Sequence, residues 1–215
     1  MSSTMALEKG IAELVEEFIA AGRPSSRQQS ITQRREGYIA STVLAGETET
    51  RVDIQTIELE GMTLRIVSPL NAPTLLPTII YYYGGCFVSG GFATHDNQLR
   101  QLAYYGQCRI IAVQYRLAPE HTFPAAHDDA QRGAELVRQH AEQLGVDKQR
   151  ITLAGDSAGG HLALVTALRL KRAGEWQPAQ LILIYPMLDA TAHFESYIRN
   201  GHDYIITRDT LLSGF

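Results

Sequence analysis

Ile151-Thr-Leu-Ala-Gly155-Asp156-Ser157-Ala158-Gly159-Gly-His161 is the stretch on which the reading of this chain turns. The apolar run 151–154 reads as a strand, Gly155-x-Ser157-x-Gly159 as a sharp turn, and the Ala/Leu pattern from Leu162 to Leu170 as a helix. A strand that bends this tightly into a helix leaves no room for Cβ atoms two residues before and after the apex. Glycines there let a serine hydroxyl project above the sheet edge. This is the sequence form of a nucleophile elbow, with Ser157 as the candidate catalytic residue and Gly155, Asp156 and Gly159 as its motif. Gly-x-Ser-x-Gly also arises by chance in a chain with 18 glycines. What separates it here from an ordinary loop is the strand before it and the helix after it.

Around that motif, 215 residues with 45% hydrophobic content suffice for one buried core. The net charge of −4 comes with no run of Lys or Arg, which argues against a nucleic-acid surface or an anionic-membrane patch. Two cysteines, Cys86 and Cys108, are too few for a disulfide framework, and the N-terminus shows no apolar signal region. Both point to a soluble protein of a reducing cytoplasm. No stretch approaches the roughly 18 apolar residues needed to span a bilayer.

Leu7, Ile11, Leu14, Val15, Phe18 and Ile19 recur at helical spacing, stopped by Gly22 and Pro24, and a more polar helix is expected from about Ser26 to Leu44. From Arg51 the period switches to two: Val52, Ile54 and Ile57, then Glu60-Gly61, then Leu64 and Ile66 predict a β-hairpin. Continuous apolar runs at 78–83, 109–113, 151–154 and 181–185 read as strands buried on both faces. Helical patterns at 97–106, 124–144 and 159–172 separate them. Strand and helix in alternation predict an α/β fold with a mostly parallel, doubly wound sheet.

A second element lies after the strand 78–83: Tyr83-Gly84-Gly85-Cys86-Phe87-Val88-Ser89-Gly90. Acyl transfer places negative charge on the carbonyl oxygen, and backbone N–H groups of a Gly-rich loop beside the serine stabilise it. With the N–H of Ala158 this loop is a candidate oxyanion hole; taken alone it reads equally as a strand-to-helix turn. Tyr-Gly-Gly-Cys-Phe resembles the His-Gly-Gly-Gly-Phe motif of the hormone-sensitive-lipase-like α/β-hydrolases, which include bacterial acetyl esterases. Thr94-His95-Asp96, residues 115–120 (Tyr-Arg-Leu-Ala-Pro-Glu), residues 123–126 (Phe-Pro-Ala-Ala) and residues 185–189 (Tyr-Pro-Met-Leu-Asp) match the same family in the same order.

That resemblance implies an α/β-hydrolase fold in which Ser157 attacks an ester and the N–H groups of Gly84, Gly85, Cys86 and Ala158 form the oxyanion hole, with no metal or other cofactor. It implies a cap from residues 1–45, a core from 46–185 and the start of a second cap segment at 186–215. Its partner would be a small-molecule ester. Tyr83 stands where the family has a bracing His, and Cys86 where a third Gly is usual, so the backbone at 86 must tolerate a Cβ. Cys86 as a nucleophile is the weaker reading, because no base is apparent near it.

A serine near neutral pH needs a base and a group that orients the base, in the chain order Ser, Asp or Glu, His. In the family both follow two further strands, and after Tyr185 this sequence runs only to Phe215, so it is expected to be a C-terminally truncated member. Residues 200–207 resemble a cap segment. His95 and His121 fall in family loop motifs and are expected to be structural; His127 and His140 are placed on a polar helix face, and His161 is expected to pack or face solvent. Asp189, His193 and His202 are the only substitute acid and base candidates. The expected function is a short-acyl carboxylesterase, impaired in this chain. The alternatives are an inactive, receptor-like small-molecule binder or a non-functional fragment. A strand at 181–185 left without a neighbour is expected to drive self-association.

Overall fold

The structure is a computed structural model that describes residues 7–22, 28–202 and 204–214. It divides into two compact units, Arg35–Leu188 and a smaller one made of Met1–Arg34 with Asp189–Phe215.

The larger unit is built on six strands: β1 (Val52–Leu59), β2 (Met62–Pro69), β3 (Leu76–Tyr82), β4 (Arg109–Val113), β5 (Val146–Asp156) and β6 (Gln180–Ile184). Their order across the sheet is β1-β2-β4-β3-β5-β6. β1 and β2 form the expected hairpin, Val52 opposite Pro69 and Leu59 opposite Met62. Glu60 and Gly61 both take positive φ at its tip (46° and 79°), the two-residue turn whose twist matches paired strands. β2 runs antiparallel to β4, whereas β4, β3, β5 and β6 are mutually parallel.

Three long helices connect the parallel strands: α3 (Phe92–Gly106), α4 (Ala125–Gln139) and α5 (Ala158–Arg172). From β3 the chain moves one way across the sheet to β4, and from β4 it returns past β3 to β5. Right-handed crossovers therefore put α3 on the opposite face from α4 and α5. The core lies between these layers: Ile80, Ile110, Ile111, Ile151 and Leu153 from the strands meet Leu99, Leu136 and Leu162 from the helices, all fully buried. Each such side chain contributes about 1.5–3 kcal/mol of apolar burial. The direction of winding reverses between the adjacent strands β3 and β5, which is where an open α/β sheet offers a crevice to a ligand.

β6 corrects one expectation. It pairs only with β5, and Leu181 and Ile182 remain exposed rather than buried on both faces. No strand follows it among the described residues.

In the smaller unit α1 (Lys9–Ala20) buries Val15 but leaves Ile11 and Ile19 exposed, and Gly22 at φ 56° ends it. Pro24 and Ser26, its expected stop and the start of the next helix, lie outside the described residues. α2 (Ile31–Ala40) is divided at Arg34, its first turn belonging to the smaller unit and Arg35–Ala40 to the larger, and it begins later than the sequence suggests because Ser30 caps it. Gln33 N–H donates to Ser30 Oγ (3.2 Å) and Ser30 N–H to Gln33 Oε1 (2.8 Å), a reciprocal pair that fixes the first turn. It passes into a 3-10 turn, Ser41–Ala45, closed by Gly46 at φ 75°. Two short helices, α6 (Glu195–Arg199) and α7 (Arg208–Leu212), belong to the smaller unit. No helix among the described residues is long and apolar enough to cross a membrane.

Candidate active site

Ser157 sits at φ 52°, ψ −117°, between the last residue of β5 and the first of α5. A non-glycine residue reaches that conformation only when its surroundings hold it there. Three backbone hydrogen bonds do so: Ser157 N–H to Ile184 O (2.9 Å), Met187 N–H to Ser157 O (3.1 Å) and His161 N–H to Ser157 O (3.1 Å). Gly159 is obligatory, since a Cβ there would run into Tyr82 O and the Tyr83 carbonyl carbon, which is how closely the helix passes the neighbouring strand. Ala158 opens α5, so its N–H is one of the orphan donors of a helix N-terminus, where the helix dipole also favours negative charge.

Next to this elbow, the Gly-rich loop leaves β3. Gly85 takes φ 132°, and a Cβ on it would collide with Ser89 O. Its carbonyl accepts from Val88 N–H (3.1 Å), Ser89 N–H (3.0 Å) and Ser89 Oγ (3.1 Å), closing a tight turn. Within it Cys86 and Phe87 are both left-handed, at φ 53° and 60°. The backbone at 86 thus accepts a Cβ only at the cost of a strained conformation, roughly 1–2 kcal/mol for each such residue.

Asp156 ties the two elements together. Its carboxylate is buried and accepts from Tyr81 Oη (2.8 Å), Gly84 N–H (3.1 Å) and His95 Nε2 (3.2 Å). Because a carboxylate only accepts, His95 Nε2 carries the proton; His95 Nδ1 lies 2.9 Å from Thr94 Oγ1. Gln98 Nε2 donates to Tyr81 Oη at 2.6 Å. Burial pushes the Asp156 carboxyl up, but the His95, Tyr81 and Gly84 hydrogen bonds outweigh it and hold the group below the usual carboxylate range. One consequence modifies the expected oxyanion hole: the Gly84 N–H is committed to Asp156, which leaves Gly85, Cys86 and Ala158 as candidate donors.

The bracing expected of a family His at position 83 is divided between two residues. Tyr83 stacks on Tyr115 (4.4 Å between centroids), with Tyr115 Oη donating to Tyr83 O at 2.6 Å and Tyr83 Oη reaching Tyr115 O at 3.4 Å. His95, from α3, supplies the imidazole.

The other histidines also differ from expectation. His127 is buried, not on a polar face, with its Nε2 3.0 Å from Nε2 of His161. His161 Nδ1 donates to Met187 O (2.8 Å), and His127 Nδ1 is buried with no hydrogen-bond partner among the described residues. Phe87 stacks on His127 and meets His161 edge-on. No spacing rule reveals this pair, because its members lie 34 residues apart on different helices. His140 caps α4 and bonds Glu60 (2.9 Å), again not a free polar face.

The substitute acid and base candidates belong to the other unit. Asp189 Oδ1 accepts from Thr191 N–H (3.0 Å) and Thr191 Oγ1 (2.5 Å), the geometry of a local turn. His193 and His202 are exposed and make no hydrogen bond among the described residues. No imidazole among the described residues is hydrogen-bonded to Ser157.

With this geometry in hand, the comparisons are decisive for the family. The profile described as an alpha/beta hydrolase fold matches residues 79–215. The chain belongs to the alpha/beta hydrolase fold family. It is 36% identical over 166 residues to the carboxylesterase NlhH of Mycobacterium tuberculosis, a match covering 76% of this chain and 52% of the relative. It is 34% identical over 209 residues to an ethyl acetate hydrolase of Pseudomonas putida, covering 93% and 66%. Among solved structures, a hyperthermophilic esterase from the archaeon Pyrobaculum calidifontis superposes with a TM-score of 0.87 at 35% identity, covering 98% of this chain and 69% of that one. The match thus spans about half of the first of these relatives and about two thirds of the second.

Proposed function

We propose that this alpha/beta hydrolase chain carries the nucleophile and the oxyanion hole of a carboxylic ester hydrolase acting on short acyl esters through a serine acyl-enzyme. The observation that carries the reading is the placement of Ser157: a strained apex at a helix N-terminus, beside a left-handed loop held by the same Asp156 that precedes the serine. Ser157 Oγ attacks the ester carbonyl carbon and gives its proton to a base. The electron pair of the C=O bond moves to oxygen, where the N–H groups of Gly85, Cys86 and Ala158 receive it. The C–O bond to the alcohol then breaks, the leaving oxygen takes the proton from the base, and water repeats the cycle to release the acid. Every step uses a serine, backbone donors and a base, and asks for no metal or cofactor.

The base of this scheme is supplied by no hydrogen bond to Ser157 among the described residues. Turnover by the 215-residue chain alone is therefore expected to be weak and to rise when imidazole is added as an external base. Names of relatives such as the carboxylesterase and the ethyl acetate hydrolase support the ester class and the small alcohol. A reducing cytoplasm fits two buried thiols, Cys86 and Cys108. The test is nitrophenyl acetate hydrolysis with and without imidazole, each rate measured above that of the same buffer without protein: imidazole-dependent excess turnover absent from Ser157→Ala supports the reading, and equal excess turnover in the two proteins refutes it.

A further inference from the structure

We propose that Arg35 is a positioning residue for the oxyanion hole, an inference that rests on the esterase reading of Ser157. Arg35 lies in α2, and its guanidinium makes four hydrogen bonds to two loops. Nε donates to Val88 O (2.9 Å), Nη2 to Ala118 O (3.1 Å), and Nη1 and Nη2 to the two oxygens of Glu120 (2.8 and 2.7 Å). Ala118 N–H in turn donates to Phe87 O at 2.8 Å. The turn that presents the Cys86 N–H is thus held at one end by Asp156 on Gly84 N–H and at the other by Arg35 on Val88 O.

That second anchor matters because two consecutive non-glycine residues, Cys86 and Phe87, stand left-handed between the anchors. Released, they favour right-handed or extended backbone, which rotates the Cys86 peptide and re-aims its N–H. A planar, bidentate guanidinium can hold a backbone carbonyl and a carboxylate at once in fixed geometry; an ammonium cannot. Because the oxyanion forms only as the reaction proceeds, a misaimed donor slows the chemical step and leaves ground-state binding alone.

The experiment is phosphonylation of Ser157 by an alkyl fluorophosphonate with imidazole present, followed by intact mass, for wild type, Ser157→Ala, Arg35→Met, Arg35→Lys and Glu120→Gln. Arg35→Met is expected to lower the limiting labelling rate roughly 10- to 100-fold, less than the ~10²–10³ of deleting a donor outright, with the half-saturating concentration unchanged. Arg35→Lys and Glu120→Gln should fall between it and wild type. If Arg35→Met fails to melt cooperatively, Glu120→Gln, which keeps the arginine, carries the decision. Labelling of wild type at Ser157 together with rates within twofold for Glu120→Gln and any folded Arg35 variant overturns the positioning role while leaving the serine reading intact. Absence of labelling in wild type, or equal labelling of Ser157→Ala, sinks the serine reading and this inference with it.

Discussion

The surroundings of Ser157 and those of Asp189 are organised on different length scales. Asp156, next to the serine, is bonded by residues 61, 72 and 75 positions away in sequence, from α3, the Gly-rich loop and β3. Asp189 is bonded on its carboxylate by a residue two positions away, and on its carbonyl by Tyr197 Oη (3.3 Å), eight away. Long-range bonds are set when the fold forms, so the groups they hold need no reorganisation at the moment of reaction. Two-residue bonds shape a loop and require no tertiary structure at all. The nucleophile side is built as a site, whereas the segment with the substitute acid and base candidates is built as a connection.

The sharpest way to break this contrast is to remove the serine. Ser157→Ala is expected to eliminate imidazole-dependent ester turnover and phosphonate labelling, a loss of at least ~10³-fold where the wild-type rate can be measured. The variant should retain the wild-type melting temperature within a few degrees, since the side chain is partly exposed and its backbone contacts persist. Next in size is Gly159→Ala. The added Cβ would meet backbone, Tyr82 O, rather than a yielding side chain, so the cost is expected to be about 3 kcal/mol or more, read as a large drop in melting temperature or as insoluble protein.

How much of this was legible in the sequence follows from the same contrast. The elbow, the hairpin turn at Glu60-Gly61 and the alternation of strands and helices are local patterns, and all were readable because each is encoded within about ten residues. β4 matches its expected bounds, and β5 and α3 are longer than their apolar cores only because polar ends continue the same backbone. What the sequence hid is what the fold brings together: Arg35 with Val88, His127 with His161, Tyr81 and His95 with Asp156. His95 was recognisable as a motif residue, but nothing in the spacing said that it shares a carboxylate with the Gly-rich loop. The exposed face of β6 is hidden for a related reason: the sequence marks 181–185 as a strand without a further neighbour, but a continuous apolar run does not say whether a helix covers its faces.

Asp156→Asn sharpens the contrast by weakening the long-range network without removing it. The variant is expected to be about 1–3 kcal/mol less stable near neutral pH and to label at Ser157 more slowly. The sign of the pH dependence is fixed by the lowered carboxyl value. A depressed folded value means that the stabilisation is complete above the unfolded value near 3.8 and is lost as pH falls through the lower folded one. The stability gap between wild type and Asp156→Asn should therefore be constant at neutral pH and close only below about pH 4. A gap that closes nearer pH 6 would mean that some other group titrates in its place.

His127 gives an effect of comparable size in a different pH window. Burial first, then the charges of His161 and Arg169, lower its value from 6.5 to about 4, and Asp128 opposes them only in part. The folded value lies below the unfolded one, so the stabilisation is present above about pH 6.5 and is lost progressively as pH falls towards 4. Wild type should lose up to about 3 kcal/mol more than His127→Leu over that range, from roughly 2.5 pH units at about 1.36 kcal/mol each. Parallel stability changes for the two proteins between pH 7 and pH 4 would show that the folded chain does not hold His127 below its ordinary value.

The smallest effect is the one that decides whether the two regions differ in kind. The Thr191 hydroxyl and N–H, with smaller help from the Ala192 N–H and the nearby His193, outweigh burial and hold the Asp189 carboxyl below its ordinary value, so its charge is already engaged by Thr191. Neither His193 nor His202 is hydrogen-bonded to it. An imidazole without an orienting carboxylate has no fixed tautomer and samples many rotamers, and as a base it offers little over imidazole in solution. His193→Ala, His202→Ala and Asp189→Asn are accordingly expected to leave ester turnover and Ser157 labelling within twofold of wild type, with or without added imidazole. A hundredfold loss in either histidine variant, restored by external imidazole, would identify that residue as the base.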